Sequence, residues 1–89
     1  MAFTGMDIGA VRTLASQLTN TAHQFEQLMN QTTQQLNNVQ WVGPDRERFV
    51  SDWQSQHCAA LRNICQAINE ASTRATQNAS EQEQVSNNG

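Results

Sequence analysis

The chain has 89 residues, 37% of them hydrophobic, with a mean hydropathy of -0.66 and a formal net charge of -3. A single small domain of this composition buries only a limited core, so an elongated shape or an obligate partner is expected. All five cationic residues are Arg, too few for a grip on nucleic-acid phosphates or a polybasic membrane anchor, and no apolar run nears the roughly 20 residues of a membrane span.

Gln and Asn are unusually frequent and together supply 22 residues. The first basic residue is Arg12, and no apolar leader follows the start. Export, if it occurs, is therefore expected to bypass the general secretory route.

The first element is a long amphipathic helix, expected over about residues 5–38. Its apolar residues fall on a heptad: Ile8, Ala15, Ala22, Met29 and Leu36 form one line. Val11, Leu18, Phe25, Thr32 and Val39 form a second, three residues on, with Thr32 its polar lapse. Leu14 and Leu28 widen the stripe on one flank. This is the pattern of coiled-coil-like packing. Two starts are open: a Thr4 cap with Phe3 and Ile8 as a hydrophobic staple, or Asp7 as the N-cap.

The pattern breaks over residues 39–45, where Trp41-Val42-Gly43-Pro44-Asp45 forms a turn. Gly43 supplies backbone angles that end a helix or make a turn. Pro44 suits the first turn of the next helix, whose positive end Asp45 and Glu47 favour.

A second helix is expected over about residues 44–78. Its apolar face reads Phe49, Val50, Trp53, Ala60, Leu61, Ile64, Ile68, Ala71 and Ala75. His57 lies on the same stripe and reads as a packed or edge residue, not a ligand. Arg48 with Asp52 and Glu70 with Arg74 are candidate i,i+4 ion pairs. Residues 79–89 carry little besides Gln, Glu, Asn and Ser, so a frayed, disordered tail is expected after one domain spanning 1–78.

Cys58 and Cys65 are one heptad apart, about 10 Å along a helix and too far for a bridge within it. They read as two free thiols, one or both partly buried. No paired Cys or His spacing suggests a metal. Ser51, Asp52, Ser55 and His57 are close in sequence, but an α-helix points them in different directions, with Asp52 and His57 about 140° apart. No phosphate-binding glycine loop is present. No catalytic residue, cofactor or metal is expected, and the chain reads as a non-enzyme.

A short turn makes two long helices antiparallel neighbours. Two helices bury one strip each, while Leu14 and Leu28 on one helix and Leu61 and Ile68 on the other extend beyond it. The expected fold is thus all-α: an antiparallel helix-turn-helix hairpin that dimerises into a four-helix bundle. Residues expected in core or dimer packing are Val11, Leu14, Leu18, Phe25, Leu28, Met29, Leu36, Phe49, Trp53, Leu61, Ile64 and Ile68.

A Trp41-x-Gly43 turn between two long heptad helices resembles the WXG-100 (ESAT-like) family of type VII secretion. Pro44-Asp45, Phe49 and Trp53 resemble its actinobacterial variant, and Met6-Asp7, Val11-Arg12 and Leu14-Ala15 fit its beginnings. The similarity covers about residues 6–80. It implies hairpins that pair as homodimers or heterodimers and leave the cell folded through the ESX apparatus, driven by a membrane ATPase of the FtsK/SpoIIIE type. It implies a secreted effector, or an escort for a larger toxin's helical leader. It gives Trp41 and Gly43 a recognition role besides closing the turn. One departure stands out. Many members or their partners carry Tyr-x-x-x-Asp/Glu after the second helix, whereas this sequence contains no Tyr and places Gln77 and Ala79 four before Glu81 and Glu83. A partner chain or another sequence is then expected to supply that signal. The alternative without the family is a cytosolic coiled-coil module.

Overall fold

The computed structural model describes residues 5–88, and the side chains of residues 5–85. Helices are the only regular secondary structure among the described residues: α1 (Ile8–Asn38), α2 (Pro44–Asp52), a π-helical turn (Trp53–His57) and α3 (Cys58–Asn88). The last three join end to end into one long second helix, which lies antiparallel against α1. At about 1.5 Å per residue the second helix is about 67 Å long, and it sets the longest dimension of the 67 × 23 × 17 Å rod. The radius of gyration, 19.9 Å, compares with about 12 Å for a compact domain of this length.

Asp7 caps α1. Its backbone is extended, and its carboxylate accepts from the Ala10 N–H at 3.0 Å. This settles the start in favour of Asp7; the Thr4 and Phe3 alternative falls outside the described residues. The helix ends when Val39 turns to an extended conformation while its N–H still reaches the Gln35 carbonyl.

Gly43 acts at the other side of the turn from the one a helix-ending glycine would occupy. It is the N-cap of α2, with φ 131° and ψ 178°, a region open essentially to glycine alone. A Cβ there would meet nothing within 4 Å, so the demand for glycine comes from the backbone alone. Pro44 follows at the first helical position, and the Glu47 N–H closes the first turn on the Gly43 carbonyl.

Except for Met29, the seam between the helices is made of small side chains. Ala15, Ala22 and Met29 on α1 are buried, as are Cys58, Cys65, Ser72 and Ala79 on α3, and each set repeats every seven residues. Facing small residues let the backbones approach closely enough for side chains to bond carbonyls across the gap. Ser72 Oγ donates to the Ala15 carbonyl at 2.7 Å, and Cys65 Sγ to the Ala22 carbonyl at 3.5 Å. The Thr19 hydroxyl joins the first pair, 2.8 Å from Ser72 Oγ. No buried side-chain nitrogen or oxygen lacks a partner among the described residues.

The second helix corrects the sequence reading in three places. Its buried line is Cys58–Cys65–Ser72–Ala79, with Leu61, Ile68 and Ala75 half-buried beside it. Ala60, Ile64 and Ala71, expected on the inner face, are exposed. The helix also continues past Asn78 to Asn88, where a disordered tail was expected. Ala79 keeps the buried line going, and Arg12 of α1 pairs with Glu83. Finally, Arg48–Asp52 and Glu70–Arg74 do not pair; the Glu70 carboxylate accepts from Gln66 instead, at 3.2 Å.

Candidate functional site: the apolar flank and the hairpin tip

Around Ala15 and Ala22 the close seam leaves no room for large side chains, which are displaced to its edges; Met29 is the one large side chain buried in it. On α1, Val11, Leu18 and Phe25 are half-buried three residues after the seam positions, and Leu14 and Leu28 lie one residue before them. Leu14 is 49% exposed and Leu28 59%. On α3 the equivalent positions are Leu61 and Ile68, half-buried, and Ile64, 46% exposed. At 100° per residue these positions share one side of each seam line. The opposite side is polar: it holds Thr19 against Ser72 and Arg12 against Glu83. There, Glu26, Arg62, Asn69, Glu70, Thr73 and Arg74 line a groove of about 480 Å³.

The hairpin therefore has a charged flank and an apolar flank. The apolar flank carries no Asp, Glu or Arg at the positions just named. The rod as a whole has a large surface for so small a chain. Total accessible area is 6815 Å², against about 5,200 Å² for a compact monomer of 9.9 kDa.

A second apolar group sits at the tip. Trp41 packs on Phe49 with ring centroids 5.5 Å apart and a tilt of 56°, a favourable aromatic arrangement. Trp41 is still 36% exposed, Val39 and Phe49 about half, and Val42 96%. Below them Trp53 reaches across to α1, its Nε1–H donating to Thr33 Oγ1 at 2.9 Å. Met29 and Leu36, expected in packing, are buried and half-buried on α1. Of the expected packing residues, only Met29 is fully buried within the hairpin.

The residues weighed for catalysis stay apart. The π turn, closed by an i→i+5 hydrogen bond from the Cys58 N–H to the Trp53 carbonyl, is wider than an α-helical one, so Asp52 and His57 lie closer in angle than an α-helix would put them. No hydrogen bond or ion pair links them all the same. The Ser55 hydroxyl donates to the Ser51 carbonyl, and His57 lies against the Trp53 ring at 6.1 Å. Cys58 and Cys65 are free and buried. Among the described residues no three His, Cys, Asp or Glu side chains group as metal ligands, and no helix is long and apolar enough to cross a membrane.

The fold and its two apolar surfaces define a class, that of an all-α helical hairpin with a small-residue seam. Compared with known protein families, with curated proteins and with solved structures, the chain matches none.

Proposed function

We propose that this chain is a WXG-100-type hairpin, exported folded through a type VII (ESX) apparatus, which acts by protein–protein interaction and not as an enzyme. The observation that carries the reading is the Trp41-Val42-Gly43 tip. It joins two antiparallel helices, depends on a glycine-only backbone at Gly43, and presents Trp41 half-exposed on Phe49. The apolar flank supplies the second requirement, a surface on which another hairpin completes a four-helix bundle. That partner is a second copy, a related hairpin, or the helical leader of a larger toxin. In this reading the chain is made in the cytoplasm and acts outside the cell or at its surface. It needs no cofactor, nucleic acid or stable membrane insertion.

A second reading, an escort that carries a toxin to the ATPase, is favoured by one observation. The sequence holds no Tyr, so the expected Tyr-x-x-x-Asp/Glu signal is missing from its second helix. The two readings separate in the native cell. Loss of this protein should stop export of a second protein if it is an escort, and should leave all other export unchanged if it is a cargo. Both readings require that its own export ends when the ATPase is removed; continued export would contradict both.

A further inference from the structure

The five-residue π turn divides the second helix into two parts with different phase. Up to the first residue of the turn, the partly buried positions include Arg46, Val50 and Trp53, at α-helical steps of four and three. The next inward residue is Cys58, five further on, after which Leu61, Cys65, Ile68 and Ser72 resume steps of three and four. Gln54, Ser55, Gln56 and His57, between them, are all exposed. The π turn thus absorbs one residue beyond what an uninterrupted helix would hold. Such turns occur mainly as single insertions, often at functional positions.

The sequence carries a second line that would suit the helix without that turn. Counting in α-helical steps from Trp53 brings His57, Ala60, Ile64, Ala67 and Ala71 to the inward side. These residues are exposed, and each lies one residue before a buried or half-buried residue of α3: Cys58, Leu61, Cys65, Ile68 and Ser72. We propose that the π turn is a register switch. If it reverts to α-helix, α3 rotates by about one residue, roughly 100°, and exchanges Cys58–Cys65–Ser72–Ala79 for His57–Ile64–Ala71–Asn78. The observed register keeps the Ser72–Ala15 and Cys65–Ala22 bonds and an all-small line on α3. The shifted register relieves the π turn and buries Ile64, but brings His57, Arg74 and Asn78 inward and turns both thiols to solvent. Rotations of this kind are among the known two-state movements of packed helices, on a microsecond-to-millisecond scale. The inference concerns the chain itself and does not depend on its export.

Thiol labelling of the purified full chain with an aromatic disulfide reagent tests it. A register shift exposes little new surface, so labelling through it should be nearly independent of urea below the unfolding transition; labelling through global unfolding rises with the full denaturant slope. Deleting Gln56 removes the extra residue and fixes the cysteines inward in an unbroken α-helix. Ala71→Gln leaves the observed seam untouched but places a large side chain in the shifted one. Both variants should retain helicity and slow the urea-independent labelling about tenfold or more, as expected when a minor state is removed. The proposal is overturned if native labelling rises with the full unfolding slope from the lowest urea concentration. It is equally overturned if both variants, still helical, label as fast as the native chain, or if deleting Gln56 destroys the helix.

Discussion

Ser72 donates a 2.7 Å hydrogen bond to the backbone carbonyl of Ala15, which belongs to the opposite helix. A side chain as short as serine reaches that carbonyl only where the two backbones nearly touch. Small side chains at this level, and at Ala22 with Cys65, are therefore the reason the leucines and isoleucines of the chain stand at the edges of the seam. Close approach within the hairpin and apolar surface outside it are one consequence of the same residues.

Enlarging the seam should be worse than deleting its hydroxyl. Ser72→Ala removes one net hydrogen bond, worth about 1 kcal/mol, and leaves the Thr19 hydroxyl near the Ala15 carbonyl. Ser72→Leu overpacks the gap, at a cost of about 1–3 kcal/mol, and forces the helices apart. Urea unfolding of the two variants should rank them in that order; equal stability would mean that the seam is looser than described.

Gly43→Ala should cost about 1–3 kcal/mol even though there is space for the methyl group. Gly43→Asn should rescue little of this loss, because φ 131° with ψ 178° lies outside the left-handed helical region that Asn tolerates. A full rescue by Asn would place the turn in a different conformation.

Trp53→Phe should lower stability by about 1 kcal/mol through loss of the Nε1–H bond to Thr33. Thr33 Oγ1 then keeps only its own bond to the Met29 carbonyl, at 2.9 Å, so Thr33→Val in the same background should cost less than it does alone. A double-mutant cycle measures the coupling, and additive losses would show that the bond contributes nothing.

Trp41→Ala should leave the hairpin helical, since Trp41 packs on Phe49 at the tip and is not one of the buried seam residues, while export or partner recognition falls. Circular dichroism beside an export assay checks both parts. Unchanged export would leave Trp41 a purely structural residue.

Arg12→Gln breaks the contact with Glu83, but both side chains are nearly half-exposed, so the loss should stay below about 1 kcal/mol and shrink further in salt. A larger loss in thermal unfolding would give the end of α3 a greater structural role than its position suggests.

Much of α1 was legible in the sequence because its repeat is unbroken: Ile8, Ala15, Ala22, Met29 and Leu36 read as one line, and the three in the middle are the buried ones. The turn and its glycine at position 43 were legible for a different reason, the local backbone chemistry of Gly43 and Pro44. The inner line of α3 was harder to see. Cys58, Cys65, Ser72 and Ala79 are small and partly polar, and beside Leu61, Ile64 and Ile68 they do not stand out as core. The matching run of alanines at the same spacing on α1 was the available signal, since small residues must face small residues for two helices to approach. The π turn hid the line further by shifting its phase after Trp53, which no propensity argument anticipates. The last turns of α3 were missed because apolar periodicity fades there. With Ala15 facing Ser72, Ile8 comes level with Ala79, so the residues beyond extend past the start of α1 and need no apolar face.

The central claim is that this seam leaves the hairpin short of buried apolar surface until a second polypeptide covers Leu14, Leu28 and Ile64. Sedimentation equilibrium and circular dichroism on one dilution series of the purified chain test it most directly, with Ile64→Asp as the comparison. The account predicts that helicity is present only where the mass exceeds the 9.9 kDa of a single chain, that both fall together on dilution, and that Ile64→Asp shifts the loss to higher concentration. A chain that sediments at 9.9 kDa with its full helical signal would contradict it.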